Sequence, residues 1–168
     1  LSDAWIDAYT KLLDDWQDPA TGFWGQWYQH EGELYKSPDL SLTYHTVKYR
    51  KGKVAHWDKL IDTLFAIKCN PYPFGWFVNG HMNNHNSMDV VKLFKLGWDK
   101  MSTAQQDRAR EDIHEMIDWC LKESWEPDGS FKFFPFYNSL GDAFYYGVAF
   151  LDAVGYINPK NLFWTDES

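Results

Sequence analysis

The chain has 168 residues, of which 45% are hydrophobic and 24% charged, and its formal net charge is −8. This composition fits one globular domain and excludes a small disulfide scaffold, because two cysteines allow at most one internal bridge. The aromatic share of 19% excludes a disordered tail. The negative charge argues against nucleic acid or an anionic membrane as a partner, and no apolar run approaches the roughly 20 residues of a membrane span.

The sequence leaves the cellular compartment open, with a secreted or periplasmic location slightly favoured over the cytoplasm. Cys69 and Cys120 lie near predicted helix ends, where a free pair and a bridge are equally consistent with the pattern. The first residue is not Met, so we expect a mature, processed or trimmed form.

Three amphipathic helices are predicted at regular intervals. Apolar residues at i, i+3, i+4 and i+7 predict helices that begin near residues 2, 53 and 103. Thr103 and Gln106 suit a capping box for the third of them. The interval of about 50 residues is typical of repeat architectures.

A similar breaker follows each of these helices. It contains a Pro, a Gly and then an aromatic residue, within Asp18–Trp24, Asn70–Trp76 and Glu126–Phe131. Because Pro cannot continue a helix and Gly supplies the positive φ of a turn, the chain is expected to reverse there. The aromatic residue can then fold back onto the helix that has just ended.

A second helix is predicted in each repeat, beginning near Ser37, Asn86 and Ser139. The segment after Leu40 also alternates like a strand, but the repeat register favours a helix. The last of these helices, roughly Leu140–Val154, is apolar nearly all round, which predicts that it is buried on every side.

These elements predict an all-α fold of three αα-hairpins in one domain, with repeats of approximately 1–51, 52–101 and 102–168. Each hairpin would have an outer amphipathic helix and an inner apolar helix. The inner helices would run in the same direction, so that their N-termini and the aromatic-rich loops meet at one rim.

This layout resembles an α/α toroid, and no specific family within that architecture is identified. The breakers Glu126–Phe131 and Asp18–Trp24 are similar to the turn motif of terpenoid cyclase and prenyltransferase toroids. Six-hairpin glycosidases and toroidal polysaccharide lyases share the architecture. The resemblance implies a ring of five to seven hairpins. We therefore expect that the three hairpins are a fragment of a larger toroid, are completed by a second copy or a partner chain, or close as a smaller bundle.

The resemblance implies an active site at the rim of the inner helices, and we interpret the chain as a carbohydrate-binding, glycoside hydrolase-like domain. Asp39, Asp89 and Asp142 occur at the starts of the three inner helices and are the acid/base candidates. His45 and His85 are polar helpers. The alternative explanation is that the three acids only stabilise helix starts through the dipole.

Two other functions remain open at this stage. Toroidal lyases use Asn, His and Tyr side chains, which Tyr44, His45, Asn84 and His85 could supply. A non-catalytic domain could instead bind a partner chain through aromatic residues, and a prenyl or terpenoid substrate would use them for cation–π contacts.

Aromatic side chains are expected to form the stacking surface for a sugar chain, with Trp24, Trp27, Trp76 and Phe77 as the candidates. We expect no cofactor and no metal. His81, His85 and Asp89 have the i, i+4, i+8 spacing of metal ligands only if one helix contains all three, and Gly80 argues against that helix.

Overall fold

A computed structural model describes residues 2–165 of the chain. Within this range the protein is mostly helical, with six α-helices and one two-stranded antiparallel sheet. In chain order the elements are α1 (Asp3–Trp16), β1 (Trp27–His30), β2 (Glu33–Lys36), α2 (Leu40–Tyr49), α3 (Trp57–Ala66), α4 (Asn84–Gly97), α5 (Thr103–Trp119) and α6 (Leu140–Ala153). The six helices correspond to the six that the sequence predicts.

Polar side chains cap most of these helices. Asp39, Asn83 and Ser139 accept a hydrogen bond from a backbone N–H in the first turn of α2, α4 and α6. The capping box of α5 uses Ser102 and Gln105, one residue before the predicted pair. These caps satisfy N–H groups that have no partner within the helix, and so they fix where each helix begins.

The β-hairpin is an element that the sequence analysis did not predict. Trp27 pairs with Lys36 and His30 with Glu33, in a region expected to be a loop. Glu31 and Gly32 both have positive φ, which is the conformation of a two-residue hairpin turn with the twist of the flanking strands. Nearly every residue of the two strands is exposed, so the hairpin is a short exposed ribbon.

Helix α4 is central to the fold and packs most extensively against α6 and α2. His85, near its start, stacks on Tyr146 in the first half of α6. Lys95, near its end, donates a hydrogen bond to the carbonyl of Asn161, beyond the end of α6. The two helices therefore run in the same direction, and their N-terminal ends lie at the same end of the molecule.

Helices α3 and α5 also pack on α4 and lie beside each other. Gln105 in α5 donates to Asp62 in α3, and the Lys68 ammonium contacts Asp112 at 2.8 Å and Glu115 at 2.5 Å. The core between these helices consists of aliphatic and aromatic side chains that exclude water, among them Leu60, Ile61, Leu64, Val90, Leu93, Phe94 and Ile113. This packing holds α4 in a fixed position.

Helix α1 differs from the other predicted outer helices because it buries none of its residues. Its apolar side chains remain between 46% and 55% exposed, namely those of Trp5, Ile6, Tyr9, Leu12 and Trp16. Asp14 near its end pairs with Arg50 just after α2, and the Trp16 carbonyl accepts a hydrogen bond from Lys36, just before α2. The first repeat therefore does not form the expected hairpin of packed helices.

Helix α6 is exposed along one face, so the prediction that it is buried on every side was wrong. Leu140, Phe144, Tyr145 and Val148 are all exposed, whereas the opposite face packs on α4. Gly147 permits that packing, because a Cβ there would lie 2.4 Å from the ring of Phe131. No toroid is evident from residues 2–165.

Candidate functional site

Polar side chains gather around the first two turns of α4. The Oδ1 atom of Asn83 accepts from the N–H of Asn86 at 2.9 Å and starts the helix. Asn86 in turn donates from Nδ2 to the carbonyl of Trp76, which ties the helix start to the preceding loop. The polar run that the sequence shows at this point is therefore built into the interior rather than solvated.

Asp89 is the most unusual member of this group. It is 0% exposed, and neither carboxylate oxygen has a hydrogen-bond partner among the described residues. It lies six residues after the N-cap Asn83, and no acidic residue occupies the first turn of α4. Stabilisation of a helix start therefore does not explain Asp89.

Burial raises the pKa of Asp89 to about 8, although the positive charges of Lys92 and Lys48 act in the opposite direction. An ionised carboxylate without a hydrogen bond is costly in a nonpolar interior, so the group takes up a proton instead. Asp89 is consequently protonated for the most part at neutral pH and can act as a proton donor.

His85 lies between Asp89 and the surface. Its Nε2 atom is 3.9 Å from Oδ2 of Asp89, which is longer than a hydrogen bond, and its side chain is 29% exposed. Its ring stacks on that of Tyr146, with 4.0 Å between centroids and 21° between planes. Burial, followed by the charge of His45, lowers the pKa of His85 to about 4, against an opposing effect of Asp142. The imidazole is therefore neutral at pH 7.

Tyrosines from three parts of the chain surround this pair. Tyr72, from the loop before α4, has its ring 5.6 Å from that of His85. Tyr44 in α2 is buried, and its hydroxyl has no hydrogen-bond partner within residues 2–165. Burial raises the pKa of Tyr44, Tyr72 and Tyr146, and the negative charge of Asp89 adds to the effect on each. The four aromatic rings therefore form a low-polarity shell around Asp89.

The three candidate aspartates occupy different positions. Asp39 is the N-cap of α2 and accepts from the N–H of Leu42 at 2.8 Å, and Asp142 lies in the first turn of α6. The helix-dipole explanation therefore fits Asp39 and Asp142. Their charges nevertheless act on the same cluster, since Asp39 influences Tyr72 and Asp142 influences both His85 and Tyr146.

The lyase candidates are divided between the interior and the surface. Asn84 is buried and donates from Nδ2 to Oγ of Ser124 at 2.9 Å, while its Oδ1 has no partner in the described range. His45 is exposed, and its ring is 5.0 Å from that of Tyr44. Of the set that the sequence suggested, His85 is thus the member that combines partial exposure with contact to the buried acid.

The four stacking candidates also separate into two groups. Trp24 and Trp76 are each 2% exposed, and Trp24 donates from Nε1 to the carbonyl of Leu13 in α1. Because they are core residues, a ligand cannot stack on them in this structure. Trp27 is exposed on β1, beneath the ammonium of Lys36, and Phe77 is half-buried. The burial of Trp24 agrees with the expected folding of a breaker aromatic onto the preceding helix.

A continuous series of aromatic rings leads to His85 from the end of α5, and we call it the aromatic run. Neighbouring centroids in the run lie between 4.0 and 6.3 Å apart, in the order Trp119, Phe134, Phe136, Tyr137, Tyr146 and His85. At its outer end is a pocket of about 300 Å³ lined by His81, Trp119, Glu123, Phe134 and Phe136.

Part of the aromatic run was not identified from the sequence. Tyr146 has no signal in the sequence that separates it from the apolar residues of α6, because its role comes from its stacking on His85. Phe134, Phe136 and Tyr137 belong to a loop that the sequence identifies only as rich in aromatic residues. Their order in the run depends on how this loop packs beside α4.

The spacing of His81, His85 and Asp89 does not produce a metal site in the described residues. Helix α4 begins at Asn84, so His81 lies outside it. Within residues 2–165 no group of three or more His, Cys, Asp or Glu side chains is arranged to hold a metal ion. Cys69 and Cys120 are free thiols.

Comparisons with known proteins provide no further guide to the site: no protein-family model, curated protein or solved structure matches this chain. None of the helices in the described part of the chain is long and apolar enough to cross a membrane. The interpretation of the site therefore depends on its own geometry.

Proposed function

We propose that the protein binds a sugar chain on the partly exposed rings of the aromatic run and cleaves it by glycoside hydrolysis, with Asp89 as the source of the proton. The observation that carries this proposal is the burial of Asp89 without a hydrogen bond, directly behind the partly exposed ring of His85. A buried carboxyl group that is protonated at neutral pH is the form that a general acid requires.

Glycoside hydrolysis uses two carboxyl groups in different protonation states. Asp89 is buried, whereas Asp142 is partly exposed at the start of α6, and the charge of Asp142 acts on His85. Active sites give two carboxyl groups the roles of acid and base by placing them in environments that move their pKa values apart. We assign Asp142 as the base or nucleophile, and Asp39 remains the reserve candidate beside Tyr72.

Because Asp89 itself is not exposed, its proton reaches the substrate through His85. The neutral imidazole accepts a proton at Nε2 from Asp89 while it donates from Nδ1 to the leaving oxygen of the sugar. The 3.9 Å separation of Nε2 and Oδ2 must shorten to a hydrogen bond when substrate is bound. Such shortening is common between free and substrate-bound active sites.

The partly exposed rings of the aromatic run supply the binding surface in this proposal, whereas Tyr137 is buried within the run. Aromatic faces bind the apolar faces of sugar rings, and polar groups at the edges fix the orientation of the ligand. The pocket of about 300 Å³ at the end of the run places Glu123 and His81 beside Phe134 and Phe136. This volume is at the lower end of the range for small-molecule sites, which fits one or two sugar units.

A polysaccharide lyase is the second candidate, and the neutral state of His85 favours it. An imidazole with a pKa of about 4 has a free lone pair at pH 7 and can remove a proton from a sugar carbon. Tyr72 and Tyr146, on either side of His85, are the hydroxyl groups that could protonate the leaving oxygen. Asn84 would have to reach a substrate carboxylate from its buried position.

The proposal also covers how the helices are arranged. We propose that α2, α4 and α6 form part of the inner ring of an α/α toroid, and that a further hairpin or a second copy of the chain covers the exposed face of α6. The apolar residues Leu140, Phe144 and Val148, four residues apart on that face, support the proposal. Light scattering after size exclusion tests the second-copy version, which predicts a dimer or larger assembly.

The test of function is to incubate the protein with a panel of polysaccharides and measure reducing ends and ultraviolet-absorbing unsaturated products. Hydrolysis predicts reducing ends alone, and a lyase predicts both. Asp89→Asn should abolish hydrolysis, whereas Asp118→Asn, at an exposed position on α5 that pairs with Lys122, should leave it unchanged. Binding without either product from any substrate would refute both catalytic candidates and leave a binding module.

A further inference from the structure

A lysine-lined pocket lies beside the proposed catalytic pair. It has a volume of about 270 Å³ and is formed by Tyr44 and Lys48 of α2 together with Lys92, Lys95 and Leu96 of α4. Three lysine side chains thus flank one cleft, mainly through their aliphatic stems, in a chain whose net charge is −8. Such a concentration of positive charge attracts anions locally even when the whole protein repels them.

Two of these ammonium groups have no fixed partner. Lys48 and Lys92 form neither a hydrogen bond nor an ion pair with any residue in the described range, although Lys48 lies 5.6 Å from the ring centre of Tyr44. Lys95 differs, because it donates to the carbonyl of Asn161 at 3.0 Å. Of the three lysines that flank the pocket, Lys95 is therefore anchored, whereas the ammonium groups of Lys48 and Lys92 remain available to a ligand.

Lys92 lies close enough to Lys48 for the two positive charges to repel each other. Burial and then the like charge of Lys48 lower the pKa of Lys92, and Asp89 and Asp152 only partly oppose this. Asp89 is itself mostly protonated at neutral pH, because burial raises its pKa to about 8. A bound anion between Lys48 and Lys92 would relieve the repulsion between them.

The pocket is joined to the catalytic cluster through Tyr44. The same tyrosine lines the pocket and lies in the shell around Asp89, and the charges of Lys48 and Lys92 both act on Asp89. The walls of the pocket are the ring of Tyr44, Leu96 and the aliphatic parts of the lysines, which suit the apolar face of a sugar ring.

We infer that the pocket is a subsite for an anionic sugar unit, one that carries a carboxylate or a sulfate group, and that the substrate is an acidic polysaccharide. This inference rests on the proposed function and specifies its substrate class. Lys48 and Lys92 bind the anionic group, and Leu96 and the lysine stems contact the ring. The net negative charge of the chain then restricts such substrates to this cleft.

The experiment compares charged sugar chains with neutral chains of the same backbone by isothermal calorimetry. Oligogalacturonate is paired with its methyl ester for the carboxylate, and dextran sulfate with dextran for the sulfate. We expect at least one charged chain to bind roughly tenfold or more tightly than its neutral counterpart. Equal affinities in both pairs, or no binding by any chain, would overturn the inference.

Lysine variants test whether Lys48 and Lys92 cause the preference for charged sugar chains. Lys92→Met and Lys48→Met keep the aliphatic stem and remove the charge, and each should reduce the preference for the charged chain roughly tenfold. Lys59→Met on α3 makes the same change in net charge at an exposed site and should leave the preference intact. An equal loss in Lys59→Met would show a general charge effect and overturn the subsite. Thermal unfolding of each variant verifies that it is folded.

The outcomes separate this inference from the proposed function. Cleavage or binding of neutral chains with no preference for charge would support the sugar site and refute the anionic subsite. Lysine-dependent binding of charged chains without cleavage would support the subsite and refute the hydrolase. Inorganic sulfate that binds as tightly as dextran sulfate would refute a subsite for a sugar unit.

Discussion

The replacement Asp89→Asn tests the energetic consequence of the buried carboxyl group. The side chain keeps its shape but can no longer ionise, so the variant lacks the cost of a buried negative charge. We expect it to be more stable than the wild type at alkaline pH. A gain in stability is unusual for a substitution in a protein interior, because most such substitutions are destabilising.

The size of this stability difference follows from the pKa of Asp89 in the folded and unfolded states. Its ordinary value of 3.8 applies to the unfolded chain, and burial raises the pKa to about 8 in the folded protein. Between these values the unfolded state loses its proton first, so the wild type loses roughly 1.4 kcal/mol of stability for each pH unit. The loss accumulates as the pH rises through this window, to roughly 5 kcal/mol at pH 8, and stops above it.

The assay is urea unfolding of both proteins, followed by tryptophan fluorescence, at intervals from pH 4 to pH 9. The advantage of Asp89→Asn should grow from pH 4 to pH 8 and then level off. Asp142→Asn removes a carboxylate from a partly exposed position and should show changes within about 1 kcal/mol. An Asp89→Asn difference that does not vary with pH would refute the argument that Asp89 is protonated.

Three further predictions concern packing and charge away from Asp89. Gly147→Ala should destabilise the protein by roughly 1–3 kcal/mol, because the new Cβ would lie 2.4 Å from the ring of Phe131. Lys68→Met should cost roughly 3 kcal/mol at neutral pH, since it leaves the buried carboxylate of Asp112 without its partner. Leu12→Ser should change stability by less than about 0.5 kcal/mol, because this side chain on α1 is exposed.

Chemical unfolding at neutral pH measures the stability of all three variants. A control variant or a contradicting outcome is given for each of them. Gly141→Ala is the control for Gly147→Ala, since the nearest atom to its Cβ is Oγ of Ser139 at 3.5 Å. If Lys68→Met is as stable as the wild type, the pair with Asp112 makes no net contribution. A loss of more than about 2 kcal/mol in Leu12→Ser would show that α1 is covered in solution.

The six helices could be predicted because apolar spacing and capping residues are local signals. Ser139 before α6 and the positive φ of Gly155 after it are examples that the structure retains. The β-hairpin was missed because its turn uses Glu31 and Gly32, whereas the common hairpin turns begin with Asn or Asp. Each strand also has only four residues, nearly all of them exposed, so no alternation of buried and exposed residues marks it.

The burial of α6 could not be predicted from its composition. An apolar helix is expected to be buried, but position in the fold determines how many neighbours it has, and α6 has α4 on one face only. The burial of Trp76 could not be predicted either. It is the last residue of a breaker, and that position does not distinguish a core residue from a surface residue. Burial is a property of the whole fold, whereas periodicity is local.

The candidate site was predicted in part. Asp89, His85 and Tyr44 do come together, because α2 and α4 pack side by side. The roles of Tyr146 and of the lysine-lined pocket depend on contacts between helices, and no spacing within one helix reports them. The equivalence of the three aspartates was wrong in detail, since Asp39 and Asp142 lie at helix starts and Asp89 lies further along α4.

The most direct test of the account is to measure the titration of the Asp89 carboxyl group by carbon NMR in the folded protein. Selective loss of the signal in Asp89→Asn assigns the resonance. We predict a midpoint near pH 8, which reflects burial without a hydrogen bond. A midpoint near 4 would mean that Asp89 is ionised at neutral pH, and it would contradict its role as a proton donor.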